Sequence, residues 1–267
     1  MAVSVTVLAS GSRGNTALVS SSTTRILVDA GVSCRETFKR MKAVGEDPHA
    51  LTAILISHEH SDHVSGLATL AKKLNVPIFM TGATHHAWAR AVRDEKGEAP
   101  QTARLELFPA GRNFNIGDIS VTSFTVPHDA ADPVGFTFRA EGVKIGFVTD
   151  LGYLPPNVCD QLRGCELLVM ESNHDLEMLR GGPYPWSVKQ RVGSRVGHLS
   201  NDDLADFLAS DYDGYATYVV LAHISEQNNH PELARGAAEK ALGSRRTLLR
   251  NRVMLAAQSE PLQPIRL

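Results

Sequence analysis

The chain has 267 residues, 43% of them hydrophobic and 21% charged, with a formal net charge of −2. This is the size and composition of a globular protein of one large or two small domains, not of a disordered or fibrous chain. The near-neutral charge supplies no global field towards a polyanion, so any contact with nucleic acid must use local patches.

Strand-like runs dominate the first thirty residues: Val3 to Ala9, Ala17 to Ser20 and Arg25 to Asp29. Short runs joined by Gly, Ser and Asn predict antiparallel pairing. Ser33 to Val44 reads as a helix with Phe38, Met41 and Val44 on one face and Gly45 as its stop. A strand over 53–57 follows, then a helix over Val64 to Leu74, a strand over Val76 to Met80 and a helix over Thr84 to Arg93. The polar stretch 94–103 reads as a loop. Four strands come next, Leu105 to Phe108, Ile119 to Val126, Val134 to Arg139 and Val143 to Val148, with a hairpin turn at Glu141-Gly142. Helices then alternate with strands Leu167 to Met170 and Thr217 to Ala222. Ser200 fits the N-cap of a helix over 201–209, and Pro231 opens one that ends near Gly243. No repeat or linker divides the chain, which predicts one domain over 1–267. Strands in both halves with helices outside them predict two sheets face to face, an α/β sandwich covered by helices on each side. Cys34, Cys159 and Cys165 are odd in number and scattered, which favours reduced, packed thiols over a disulfide framework. No apolar run approaches the ~18 residues of a membrane span. The first residues lack a signal-peptide pattern, and the expected location is cytoplasmic.

The densest chemistry lies at residues 58–63, His58-Glu59-His60-Ser61-Asp62-His63, directly after the apolar run Ala53-Ile54-Leu55-Ile56. Packing that many titratable groups against an apolar strand without a cation costs repulsion and desolvation. Glu59 interrupts the H-x-H-x-D-H spacing and reads as a supporting or surface group. Three more ligand-type residues follow apolar strands: His128 after 119–126, Asp150 after 143–148 and His223 after 217–222. Strand ends at one edge of a sheet converge, so these residues can meet the 58–63 segment. His58, His60, His128 and Asp150 would make one site, and Asp62, His63, Asp150 and His223 a second, with Asp150 as the bridge. A shared carboxylate holds two cations ~3.5–4 Å apart around a hydroxide whose pKa falls towards ~7. Neutral imidazoles and carboxylates suit zinc, manganese and iron alike.

This constellation resembles the metallo-β-lactamase superfamily, which implies a four-layer αββα sandwich with a dinuclear site at one edge. The resemblance assigns His58, His60 and His128 to one metal, Asp62, His63 and His223 to the other, and the bridge to Asp150. Asp150 stands where lactamases of the commonest zinc class carry Cys, which disfavours lactam hydrolysis. Three further segments look like the bacterial YycJ (WalJ)-type branch: Leu8 to Asn15, Glu171-Ser172-Asn173-His174-Asp175 with Tyr184-Pro185-Trp186-Ser187, and Gly197-His198-Leu199-Ser200-Asn201. That resemblance implies a DNA exonuclease working from 5′ ends. Under this reading a metal-bridging hydroxide attacks phosphorus, and Asp62 both ligates and accepts the water's proton. His198, at a helix start, binds the scissile phosphate or protonates the leaving oxygen; the alternative is a plain helix-entry histidine. Ser10, Ser12 and Asn15 offer a phosphate cradle, or simply a glycine hairpin, and His174 is read as His198 is. Trp186 can stack on a terminal base or anchor a loop. Two basic clusters can track a DNA backbone or be solvated helix faces: Arg180, Lys189, Arg191 and Arg195, and Arg245, Arg246, Arg250 and Arg252. The rival activities are a small-molecule or cyclic phosphodiesterase and a glyoxalase-like thioesterase.

Overall fold

The computed structural model describes residues 3–92, 104–243 and 251–267. The whole stretch expected as the 94–103 loop lies outside these residues, as do Arg93 at the end of the expected helix 84–93 and Arg245, Arg246 and Arg250 of the second basic cluster.

Two mixed sheets form an αββα sandwich. The first half of the chain contributes β1 (Ser4–Ala9), β2 (Thr16–Ser20), β3 (Arg25–Val28), α1 (Cys34–Ala43), β4 (Ala53–Leu55), α2 (Ser61–Val64), α3 (Leu67–Leu74), β5 (Ile78–Thr81), α4 (Gly82–Ala91) and β6 (Leu105–Phe108). Then come β7 (Asn113–Ile116), β8 (Ile119–Thr125), β9 (Val134–Ala140), β10 (Val143–Val148), α5 (Pro156–Leu162), β11 (Leu167–Glu171), α6 (Leu176–Gly181), α7 (Trp186–Val192), α8 (Asn201–Ala209), β12 (Tyr218–Ala222), α9 (Pro231–Gly243), β13 (Arg252–Leu255) and β14 (Ile265–Arg266). Among the described residues one sheet has the order β14-β1-β2-β3-β4-β5-β6 and the other β13-β12-β11-β10-β9-β8-β7. Each is antiparallel on one side and parallel on the other; β1, β2 and β3 pair antiparallel as their short connections predict.

The layers follow from alternation along strands buried on both faces. In β11, Leu167 and Val169 face the space between the sheets while Leu168 and Met170 face the outer helices. β12 repeats this with Val220 and Ala222 inward and Val219 and Leu221 outward. On the other sheet Val5, Val7, Ile26 and Val28 meet that central core, and Leu8, Leu18, Leu27 and Ile54 pack on Met41, Leu67, Leu70 and Trp88 of α1, α3 and α4.

Several elements differ from expectation. The predicted helix 64–74 is broken: α2 makes one turn, and α3 begins at Leu67 after Gly66. An added Cβ on Gly66 would lie 2.0 Å from the carbonyl oxygen of Val32, so the backbones touch there and only glycine fits at the junction of the two helices. Asp62 and His63 stand in that single helical turn, with His60 at its N-cap. Strand β7, Asn-Phe-Asn-Ile, carries too little apolar alternation to be read from sequence. Phe114 holds it, stacking on Phe108 and Phe79 at centroid distances of 4.7 and 5.7 Å and so joining the two sheets at one edge.

The three cysteines are free and buried. Burial raises all three thiols, Cys165 to about 12. A thiol reagent at pH 8 is expected to leave Cys165 untouched in the native protein and to label all three after unfolding. Fast labelling of Cys165 without denaturant would contradict this packing.

Candidate metal centre

Every potential ligand sits just past, or at the start of a turn just past, the C-terminal end of a strand: His58 after β4, His128 after β8, Asp150 after β10 and His223 after β12, with α2 carrying Asp62 and His63. Two of these residues adopt left-handed backbone, Asp150 with φ +60° and His223 with φ +52°. Such angles cost about 1–3 kcal/mol on a non-glycine residue, and here they turn the chain sharply at the strand end so that the side chain enters the seam between the sheets. The α2 turn is pressed into place by backbone contact. The amide of Asn15 donates to Asp62 O at 2.7 Å and that of Ala30 to His63 O at 2.8 Å. A Cβ on Gly31 would lie 1.7 Å from Asp62 O, so only glycine fits beneath the turn.

The donors converge in overlapping groups, each with ligand atoms within 4.8 Å of one another: His58, His60 and His128; His58, His63 and Asp150; Asp62, His63 and His223; and Asp150, Glu171, His198 and His223. All seven residues singled out in the sequence are thus brought together. Asp150 is reached from two sides, its Oδ2 lying 3.3 Å from His63 Nε2 and its Oδ1 3.2 Å from His223 Nδ1. His223 Nε2 lies 3.4 Å from Asp62 Oδ2. His58 Nε2, His223 Nε2 and Asp150 Oδ2 are buried with no hydrogen-bond partner. An unsatisfied buried polar atom costs about 1–3 kcal/mol. Three of them aimed into one cluster of imidazoles and carboxylates fit a divalent cation as the missing partner.

The other nitrogen of each ligand is held by the protein, which fixes ring orientation. His128 Nδ1 donates to Gly197 O at 2.9 Å. His63 Nδ1 donates to Asp29 Oδ2 at 2.8 Å, and Asp29 also accepts from the amide and hydroxyl of Ser57. His223 Nδ1 donates to Glu171 Oε1 at 2.7 Å, and the same oxygen takes His198 Nδ1 at 2.8 Å. The other Glu171 oxygen accepts the amides of Leu151 and Leu199, both at 3.0 Å. Asp29 and Glu171 escaped the sequence reading of the site. Their signal was present, because each is an acidic residue closing an apolar strand, Leu27-Val28-Asp29 and Val169-Met170-Glu171, as Asp150 is.

Electrostatics divide the histidines. Burial and the charge of His63 push His58 well below the ordinary imidazole range, so it is neutral and ready to ligate. Burial opposes protonation of His63 and His223 as well, but Asp150 and the neighbouring carboxylates prevail and hold both well above that range. Glu171 is held at about 2: its burial acts upward, while His198 and His223 outweigh it.

A cavity of about 170 Å³ opens on the cluster, lined by Ser12, His60, Asp62, Asp150, Asn173, Tyr184, Arg191, His198 and His223 among others. Of the candidate phosphate-binding residues it takes in Ser12 and His198. Ser10, Asn15 and His174 are buried and are not part of its wall. Ser10 Oγ accepts the amide of His223, and Asn15 Nδ2 donates to Gly11 O and Asp62 Oδ2. These two brace the site from behind.

This arrangement is that of a metal-dependent hydrolase. The family model described as a beta-lactamase superfamily domain matches residues 24–224. The exodeoxyribonuclease YycJ of Bacillus anthracis is 38% identical over 242 residues, 91% of this chain and 90% of that protein. The exodeoxyribonuclease WalJ of Streptococcus pneumoniae is 35% identical over 228 residues, 85% of this chain and 84% of that one. The crystal structure of the metallo-beta-lactamase fold protein YhfI from Bacillus subtilis superposes with a TM-score of 0.72 at 16% identity, covering 98% of this chain and 99% of that chain, and so shares the fold. The chain belongs to the beta-lactamase superfamily.

With His63 and His223 protonated at neutral pH in the metal-free protein, a cation that takes their nitrogens must expel those protons. Metal affinity is therefore expected to rise with pH, and titration calorimetry in buffers of different protonation enthalpy should register proton release. Binding without proton release, and with no pH dependence, would contradict the assignment. Glu171→Gln is expected to weaken metal binding or activity by roughly 10–100-fold.

Proposed function

We propose that the chain is a DNA exonuclease that hydrolyses phosphodiester bonds from 5′ ends, using two divalent ions shared through Asp150. The observation that carries this reading is the small cavity at the ligand cluster, lined mostly by charged and polar residues. Pockets that enclose a whole small molecule run to roughly 300–1,000 Å³, whereas this one holds about 170 Å³. It admits a phosphodiester and little more, leaving the rest of the substrate outside, as a polymer would be. A whole cyclic nucleotide or acyl-thioester exceeds that volume. The named activity of the two bacterial relatives supports the same reading.

Cations held by these residues would supply a water of lowered pKa as nucleophile and neutralise charge on the phosphate; zinc, manganese and iron all suit the donor set. Asp62, whose side chain reaches the cavity, accepts the proton of the attacking water. Arg191, on the same wall, is braced by Asp129 through Nε to Oδ2 at 2.6 Å and offers its remaining donors to phosphate oxygens. With Nδ1 committed to Glu171, His198 keeps Nε2 for the cavity, and it delivers a proton to the leaving oxygen. The protein acts as one domain in the cytoplasm, where its three unpaired thiols stay reduced. No helix among the described residues is long and apolar enough to cross a membrane.

Purified protein loaded with Mn²⁺ or Zn²⁺ is expected to release nucleotides progressively from 5′-phosphorylated duplex DNA and to stop on chelation. Metal-bound protein that leaves DNA intact while cleaving cyclic or bis-p-nitrophenyl phosphate, or an acyl-thioester, would overturn the reading. His198→Ala should lower DNA hydrolysis by about 10²–10⁴-fold. It should slow bis-p-nitrophenyl phosphate far less, because p-nitrophenolate leaves without a proton. Equal losses on both substrates would remove His198 from the role of proton donor.

A further inference from the structure

The segment between α6 and α8 is built unlike the rest of the chain. None of the residues of α7 is buried, and none belongs to the hydrophobic clusters that hold the sandwich together. Yet the helix begins with Trp186, 72% exposed, whereas the protein's other tryptophan, Trp88, is 1% exposed in the core. An indole left in water at the start of a helix that contributes nothing to the core has no structural task there.

Its position is telling. Tyr184, Arg191 and Val192, on either side of it in sequence, line the metal cavity. Trp186 is two residues from Tyr184, so its Cα lies within about 7 Å of the cavity wall's own backbone. From residue 178 to residue 201 the chain carries Arg180, Lys189, Arg191 and Arg195 and no carboxylate, in a protein whose net charge is −2. Arg180 pairs with Glu177 and Arg191 with Asp129, while Lys189 and Arg195 have no carboxylate partner among the described residues. Arg195 instead lies over the Tyr153 ring, 4.2 Å from its centroid.

The segment is also fixed relative to the metal centre. Pro185 precedes the tryptophan in extended conformation, φ −54° and ψ 151°. At the far end, a Cβ on Gly197 would lie 2.2 Å from the carbonyl oxygens of Arg191 and Val192, and one on Gly152 would lie 2.3 Å from the Arg195 backbone. The turn after α7 is thus packed against the backbone that carries Asp150, and it supplies the carbonyl that orients His128.

We propose that Trp186 is a stacking platform for an unpaired nucleotide at the end of the DNA strand whose phosphodiester enters the metal cavity, with Lys189 and Arg195 following the adjoining phosphates. The proposal rests on the nuclease reading above and adds to it a preference for single-stranded ends. Stacking on an aromatic ring accepts any base and is worth roughly 5- to 150-fold in affinity per base. The charge complement selects a nucleic acid strand over an apolar protein partner for this exposed ring.

The test uses metal-loaded protein and an oligodeoxynucleotide duplex with a 5′ single-stranded overhang, made resistant to cleavage by phosphorothioate linkages. Trp186 being the exposed tryptophan, saturating oligonucleotide is expected to quench and shift its emission. Labelled-oligonucleotide anisotropy should show Trp186→Ala binding the overhang at least ten-fold more weakly, and losing the wild-type preference for overhang over blunt duplex. Trp186→Phe should restore most of the affinity, and both variants should carry the wild-type metal content. Equal affinity of wild type and Trp186→Ala, or emission unmoved by oligonucleotide that anisotropy reports as bound, overturns the platform and leaves the nuclease reading standing. If wild type neither binds nor cuts DNA, both fail together. Tight capture of an apolar peptide with no response to oligonucleotide would assign the patch to a protein partner instead.

Discussion

Two buried carboxylates that hold no place in the conventional ligand pattern organise everything around the metal centre. Asp29 closes β3 in one sheet and Glu171 closes β11 in the other. Each takes a hydrogen bond from the Nδ1 of a metal-site histidine, Asp29 from His63 and Glu171 from His223, leaving Nε2 directed at the cluster. Neither is left as a bare charge: Asp29 also accepts from Ser57, and Glu171 from two amides and His198. A buried carboxylate is tolerated only with that degree of satisfaction. The two sheets therefore each bring a pre-oriented imidazole to the same seam, and the position of one relative to the other is set by the apolar core between them.

The same constraint explains the strained backbone. Asp29, Asp150 and His223 all adopt positive φ at strand ends. A strand leaving its sheet by an ordinary turn would carry the next side chain onward past the edge. A left-handed residue folds it back across the edge, into the seam. The cost, about 1–3 kcal/mol at each position, is small beside the burial of two apolar faces on β3, β10 and β12, and the extra strain stays confined to the residues whose orientation matters.

Much of this was legible in the sequence because it depends on local rules. The long strands and helices follow their periodicity: β10 lies at Val143–Val148, α8 at Asn201–Ala209 and α9 at Pro231–Gly243, as their patterns and caps require. The seven ligand residues stood out by type and by their place after apolar runs. What was not legible depends on contacts distant in the chain. β7 has no strand pattern and is held by Phe114 against Phe79 and Phe108, and β14 is a two-residue strand defined only by its pairing with β1. Asp29 and Glu171 obeyed the strand-end rule, but their partners, His63 and His223, lie 34 and 52 residues away in the chain, and only the fold brings them together. Ser10 and Asn15 drew attention through a glycine-rich loop that resembles a phosphate cradle. Their side chains instead turn inward, one to the His223 amide and the other to Asp62, and sequence alone does not say which way a loop faces.

That loop is itself fastened from the far end of the fold. Gln258 accepts the amide of Arg13 at 2.8 Å and donates to Gly14 O at 3.0 Å, while its own carbonyl accepts Arg40 of α1 at 2.8 Å. Arg40 reaches Leu8 O with the same nitrogen. The segment after β13 therefore couples the first strand, the first helix and the loop that backs Asp62. Asp62 sits on the one-turn helix α2, too short to hold its own shape in water. It keeps its place because Asn15 and Gly31 press on it from behind, and Gln258 fastens the loop that carries Asn15. On this view the metal centre's rigidity is a property of the closed sandwich, in which β14 returns to pair with β1, and not of the 58–63 segment that first marks the site.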